Sequence, residues 1–184
     1  MSESKIEVNQ SKSRAGRDLV TIVNYHESPI SPSSAIESLL EQLEKEIAEN
    51  NHVQETIESL KHYYAKKSAD GIDGLENKLK YVGRDSEIDY ALDKKEEFSK
   101  LLEKWSMYAS AQEILVHLLA RVEYEFRLHV IPHIEEDKIN EIITLKIVEP
   151  VVAECGSSVF KINHGTAMGM LYWLAEQCYI RWHK

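Results

Sequence analysis

Long apolar runs are missing from this 184-residue chain: nowhere do apolar residues continue for the ~18 positions that a membrane-spanning helix needs. The first residues, Met1-Ser2-Glu3-Ser4-Lys5, also lack the apolar stretch of a secretion signal. Both absences point to a cytoplasmic protein with no membrane partner. Cysteine is scarce. The two present, Cys155 and Cys178, stand far apart without CxxC spacing, so neither a disulfide framework nor a zinc site follows, and both read as reduced, small apolar residues. Positive charge is in deficit, with 22 basic against 31 acidic residues and a net charge of −9. A field of that sign repels phosphate backbones unless a basic patch opposes it, and the sequence shows none, so direct nucleic-acid binding is not expected. Catalytic signatures are absent as well: no Gly-rich phosphate loop, HExxH or nucleophile elbow occurs. No catalytic residue, metal or cofactor is therefore assigned.

What is present is helical periodicity, in a chain whose length and 43% hydrophobic content suit one domain. Residues 1–33 form a separate stretch. Residues 1–17 are polar and charged, which predicts disorder until something ties them down. Asp18, Leu19, Val20, Thr21, Ile22 and Val23 then supply a β-branched run, the one expected strand. A lone strand leaves its N–H and C=O groups unpaired, so pairing with another copy of the chain, and hence a homo-oligomer, is expected. A linker containing Pro29 and Pro32 follows, and residues 34–184 read as a helical domain.

Ser34 with Glu37 forms a capping box ahead of Ile36, Leu39, Leu40, Leu43 and Ile47. A second helix is expected from about Val53 to Lys67, and a short one over Leu75–Tyr81. The turn between them, Asp70-Gly71-Ile72-Asp73-Gly74, resembles a calcium loop but fails as one. Its third position is Ile72, where an oxygen ligand is required. Ser86 with Asp89 opens the longest pattern, Glu87 to Ile131, with Lys95 and Trp105 as candidate breaks and Pro132 at its end. Next comes Lys138–Ala153, closed by Gly156 and carrying Pro150 in its last turn. Asn163 then caps a final helix in which Met168, Leu171, Ala175, Cys178, Tyr179 and Trp182 share one stripe to the chain end. The reading is all-α: a bundle of five or six helices with one short N-terminal β-strand.

Within the longest pattern, Tyr108, Ala111, Leu115, Leu118, Val122 and Phe126 make a core stripe. Beside it runs a polar row at i, i+4 spacing, Glu113, His117, Arg121 and Glu125, continued by His129 and His133. Neighbours four apart touch, so Glu113–His117 and Arg121–Glu125 pairs are expected. Glu125, His129 and His133 do not make a metal site, because the outer two lie ~12 Å apart along the axis. The row Glu113, His117, Arg121 and Glu125 is instead the candidate partner interface. Arg121→Glu is expected to weaken partner capture and leave the fold intact.

The enzymatic alternative is a small all-α ribonuclease or toxin that resembles HEPN domains in size and helical make-up. Such domains carry an Arg and a His four to six residues apart on one helix. Here Arg121 precedes His129 by eight positions and Arg127 precedes it by two. Tyr63-Tyr64 and Arg181-Trp182-His183-Lys184 are aromatic and basic groups suited to stacking on a nucleotide, or to closing a buried helix end.

Three blocks go further. Tyr108-Ala109-Ser110-Ala111-Gln112-Glu113-Ile114 with Leu118-Leu119-Ala120, then Ile147-Val148-Glu149-Pro150, then Gly169-Met170-Leu171-Tyr172 with Cys178-Tyr179-Ile180-Arg181-Trp182, resemble the C-terminal domain class of bacterial ABC-three-component conflict systems. The resemblance covers about Ile36 to His183. Ala15-Gly16-Arg17-Asp18-Leu19-Val20 also resembles, in single copy, the Gly-Asp repeats that precede such domains. The resemblance implies a non-enzymatic adaptor or sensor of an anti-phage or anti-plasmid defence complex. Its implied partners are an SMC-like ABC ATPase, an effector subunit, or both, and it implies no catalytic residues; the length leaves no room for an N-terminal nuclease or peptidase, so an adaptor or sensor lacking its own effector is expected.

Overall fold

A computed structural model describes residues 33–67, 71–134, 138–156 and 158–183. The chain divides into two units, Met1–Ile30 and Ser31–Lys184, and the second is described here by itself. The strand expected over residues 18–23 lies outside the described residues. Among those described, every regular element is helical and no helix is long and apolar enough to cross a membrane.

The elements are α1 (Ser33–Ala48), α2 (Glu58–Tyr64), α3 (Leu75–Tyr81), α4 (Ile88–Trp105), α5 (Ala109–Glu125), α6 (Ile139–Ile143), α7 (Glu149–Cys155) and α8 (His164–Glu176). Among the described residues the helix count exceeds the five or six expected, because the longest pattern is two helices and the pattern expected over Lys138–Ala153 is divided into α6 and α7. It breaks at Ser106–Tyr108, beside the Trp105 candidate, where Tyr108 is extended. A buried glutamine holds the break open. Gln112 donates from Nε2 to the Ser106 and Glu55 carbonyls at 2.7 and 3.1 Å and accepts the Ile57 N–H at 2.6 Å. Glu46, on α1, accepts from the N–H and hydroxyl of Ser110 at 3.2 and 2.6 Å. A carboxylate from another helix thus satisfies a donor that α5 leaves orphaned at its N-terminus.

Two π-helical segments follow one rule. Phe126–Val130 extends α5, and Thr144–Val148 joins α6 to α7. Pro132 and Pro150 stand at the same offset after them. A proline ring collides with the carbonyl four residues back, here those of Leu128 and Lys146, each the middle residue of its π segment. Widening the turn moves that carbonyl aside. Pro150 is accordingly accommodated in the first turn of α7 and does not kink the last turn. Ser86 caps nothing: residues Asp85–Glu87 form a 3-10 turn ahead of α4. Helix α2 is shorter than expected, and its buried aromatic is Tyr63 rather than Tyr64, which is 46% exposed.

The core is one cluster in which α5 contributes Ala111, Ile114, Leu115, Leu118, Leu119 and Val122, the expected stripe and its flank. Helix α8 is buried nearly all round. It comes close to α4 at Gly169, where the Lys94 backbone carbonyl and Phe98 occupy the space a side chain would need. Asn163 caps α8 by accepting the Thr166 N–H at 2.9 Å. The helix does not continue to the chain end. Cys178 takes φ 64°, its N–H reaches the Ala175 carbonyl at 3.1 Å, and the Tyr179 N–H reaches that of Leu174 at 2.9 Å. That is a Schellman turn with cysteine where glycine is usual. The reversed tail packs on α2 and the residues just after it: the Tyr179 hydroxyl donates to the His62 carbonyl, and the Lys67 N–H donates to that of Gln177 at 3.0 Å. Tyr179 and Trp182 are buried all the same.

Helices α3 and α8 cap each other. The Lys78 ammonium, fully buried, donates to the Ala175 carbonyl at the C-terminus of α8. Glu176 accepts the Leu75 N–H at the N-terminus of α3 at 3.0 Å. Each charge sits at the helix end whose dipole favours it. Burial alone would raise the Glu176 carboxyl, but the Leu75 N–H and the charges of Lys95 and Lys66 hold it below the usual range. Both cysteines are free and buried, and burial pushes the Cys155 thiol up to about 12, so it stays unreactive at neutral pH.

Candidate partner interface

Four residues per step overshoot a 3.6-residue turn, so the row on α5 winds round the helix by roughly 40° at each position. The structure shows the consequence. Glu113 faces solvent, whereas His117 and Arg121 turn towards α7 and meet Glu154, whose side chain is only 8% exposed. Arg121 Nη1 pairs with Glu154 Oε1, and His117 Nε2 lies 3.4 Å from the same oxygen. Glu125 pairs with His129 at 3.2 Å, one turn on. The expected Glu113–His117 and Arg121–Glu125 pairs are replaced by these three contacts. A carboxylate in the core needs compensation more than a solvated one does, and so Glu154 takes the cation. Its second oxygen, Oε2, is buried without a hydrogen-bond partner.

The row is therefore split between the two roles considered for it. Arg121 is a structural residue that ties α5 to α7, and Arg121→Glu would set two carboxylates against each other in a poorly solvated site. The variant should lose about 3 kcal/mol of stability, an outcome opposite to the intact fold expected from the sequence alone. Thermal melting of Arg121→Glu beside Arg121→Lys measures it. Equal melting temperatures for the wild type and the charge reversal would show that the pair contributes nothing.

The outward strip of α5 and its π extension consists of Glu113, Ala120, Tyr124, Arg127 and Leu128, all exposed. Tyr124 is 63% exposed and Leu128 50%. Arg127 pairs with Glu123 at 2.7 Å across the same surface. Sequence reasoning missed Tyr124 and Leu128 because it followed a four-residue row rather than the mean helical repeat; eleven residues from Glu113 to Tyr124 return to nearly the same angle. Among the described residues, no three His, Cys, Asp or Glu side chains converge as a metal's ligands would. The aromatic and basic groups weighed for nucleotide stacking are brought together as packing: Tyr63 is buried with its ring centroid 5.0 Å from that of Tyr179, and Arg181 donates to the Lys67 carbonyl at 3.5 Å. One local basic cluster does exist, where Lys100, Lys104 and Lys161 border Trp105. It joins α4 to the segment before α8 and is invisible along the sequence.

No curated protein and no solved structure matches the chain. A family model does, the one described as C-terminal domain 9 of the ABC-three component (ABC-3C) systems, over residues 74–182. The match starts at the glycine before α3 rather than at Ile36, and runs through Trp182. It takes in more than half of the chain and all three sequence blocks around Tyr108, Ile147 and Gly169, and the chain belongs to this family of C-terminal domains of ABC-three-component systems.

Proposed function

We propose that this protein is a non-enzymatic adaptor or sensor subunit of an ABC-three-component defence complex, acting in the cytoplasm by binding a partner subunit and by self-association. The observation that carries the reading is the family match, since the family is defined by systems of several components. The outer strip of α5 supports a contact surface. Tyr124 is a large, half-rigid aromatic left in water, Arg127 is an adaptable cation beside it, and Glu113 retains the charge expected of the polar row. Tyrosine and arginine are enriched among the residues that dominate interfaces. The partner is the system's ABC ATPase, its effector, or both, and residues 18–23 join copies of the chain by strand pairing.

The test is capture of the system's own subunits from the native host by tagged wild type and by a Glu113→Arg/Tyr124→Ala double variant, with a phage-challenge assay and mass by light scattering. Wild type should retain a subunit and self-associate. The double variant should retain that subunit at least tenfold less while melting at the wild-type temperature, and a chain lacking residues 1–25 should be monomeric. Wild type that captures no subunit and cleaves RNA unaided would establish the ribonuclease alternative.

A further inference from the structure

A pocket of about 390 Å³ opens where the C-terminal half of α4 meets the segment leading into α8. Lys100, Leu101, Lys104 and Trp105 fall at i, i+1, i+4 and i+5, so one face of α4 brings two ammonium groups and two apolar side chains to it. The facing wall follows a period of two. Phe160 and Ile162 are buried, and Val159 and Lys161, alternating with them, are exposed and line the pocket. The floor is therefore apolar and the rim positive. Lys100 pairs with Glu96 at 2.7 Å, an exposed i, i+4 contact that is cheap to exchange. Lys104 lies 5.2 Å over the Trp105 ring and, like Lys161, makes no ion pair with a described residue. In a chain with 31 acidic against 22 basic residues, these three ammonium groups reverse the sign of the field around them.

What answers such a site is negative and partly apolar. A phosphate backbone fits it poorly, because a polyanion needs a continuous basic track and the α4 surface beside the pocket is acidic. Glu96 and Glu97 both act on Lys100, and Glu103 is exposed next to Lys104. The lysines are point charges, without the forked grip that arginine gives a phosphate. Trp105 already packs on Phe160 at 5.2 Å and Tyr108 at 6.0 Å, with Lys104 over its ring, so no clear face is left for a base to stack on. A short peptide meets none of these obstacles. One apolar side chain can use the partial surfaces of Leu101, Trp105 and Val159, and carboxylates on either side of it reach the rim as single acceptors.

We propose that this pocket docks a short acidic peptide of a partner protein, with one apolar side chain seated on Leu101, Trp105 and Val159 and flanking carboxylates paired with Lys100, Lys104 and Lys161. It shares no residue with the outer strip of α5, so the two surfaces stand or fall separately. The test is fluorescence anisotropy on the full-length protein with labelled heptapeptides of six glutamates around a central leucine, methionine, phenylalanine or tryptophan. At least one should bind wild type, and added salt should weaken it. The same peptide with glutamines for glutamates should bind about tenfold more weakly. Lys104→Glu/Lys161→Glu should also lose about tenfold, since like charges then face each other, and should melt at the wild-type temperature because both positions are exposed. Lys104→Gln/Lys161→Gln, which removes the charges without reversing them, should fall between. Four results would each overturn the proposal. No acidic peptide binds wild type; the charge reversal binds as wild type does; a thymidine decanucleotide binds wild type more tightly than every peptide, which would make the pocket part of a nucleic-acid groove; or light scattering shows that the charge reversal abolishes self-association, which would give the pocket to a second copy of the chain.

Discussion

A chain ending at Gly169 should not fold. The missing segment carries Met170, Leu171, Tyr172, Trp173, Leu174, Tyr179, Ile180 and Trp182, each at most 4% exposed. These side chains touch the other elements directly. Trp173 packs edge-on against Phe98 of α4 at 5.9 Å and against Tyr64 of α2 at 5.6 Å, and Trp182 packs against Phe126 at 5.4 Å. Losing a large buried side chain costs ~2–5 kcal/mol, and a domain's whole stability is only ~5–15 kcal/mol. The deletion also removes the Ala175 carbonyl that receives the buried Lys78 ammonium, leaving that charge in a fully buried position without its partner. Far-UV circular dichroism and thermal melting of a Met170–Lys184 deletion measure the effect. A soluble product with wild-type helicity and a cooperative melt would show that α8 and its tail are peripheral.

Alanine at Gly169 should destabilise the protein although alanine is the better helix former. Helix propensity favours the change by ~1 kcal/mol. Packing opposes it more strongly, because the new Cβ would fall 2.4 Å from the Lys94 carbonyl oxygen and 2.8 Å from Phe98 Cβ. A backbone oxygen cannot rotate away, so α4 and α8 must separate and loosen Phe98 against Trp173. Overpacking of this kind costs ~1–3 kcal/mol, occasionally more, and with backbone as the obstacle the upper end applies. The net loss should be about 2 kcal/mol, or ~4–8 °C in melting temperature for a chain of this size. Gly165→Ala on the same helix is the matched comparison. There the added Cβ meets only side-chain atoms of Asn163 and Lys94, at 3.2 Å or beyond, and the melt should shift far less. Equal shifts at the two positions would show that the approach of α4 to α8 at Gly169 does not limit the packing.

Both predictions depend on contacts between helices, and there the division between sequence and tertiary structure is clear. Periodicity by itself determined that α5 buries Ala111, Leu115, Leu118, Val122 and Phe126, that Leu75–Tyr81 is a helix, that Asn163 caps α8 and that Gly156 ends α7, because each is a property of a few neighbouring residues. The wording of the core blocks determined the family. Periodicity did not separate α4 from α5, since two helices whose stripes run nearly in phase look like one until Gln112 is seen bonded to Glu55, Ile57 and Ser106. Nor did it end α8 at Glu176: Tyr179 and Trp182 continue the apolar spacing but are buried by a reversed tail. Only the tertiary structure decided which polar side chains are interior. Lys78, Gln112 and Glu46 look like solvated helix residues in sequence, and each is buried because a backbone group of another element needs its charge or amide. The same holds for Arg121, whose partner is Glu154 on α7 rather than its own helical neighbour. A local pattern specifies which face of a helix is apolar, but the distance and angle at which two helices meet decide which polar ends reach each other. That geometry arises only when the whole core has packed.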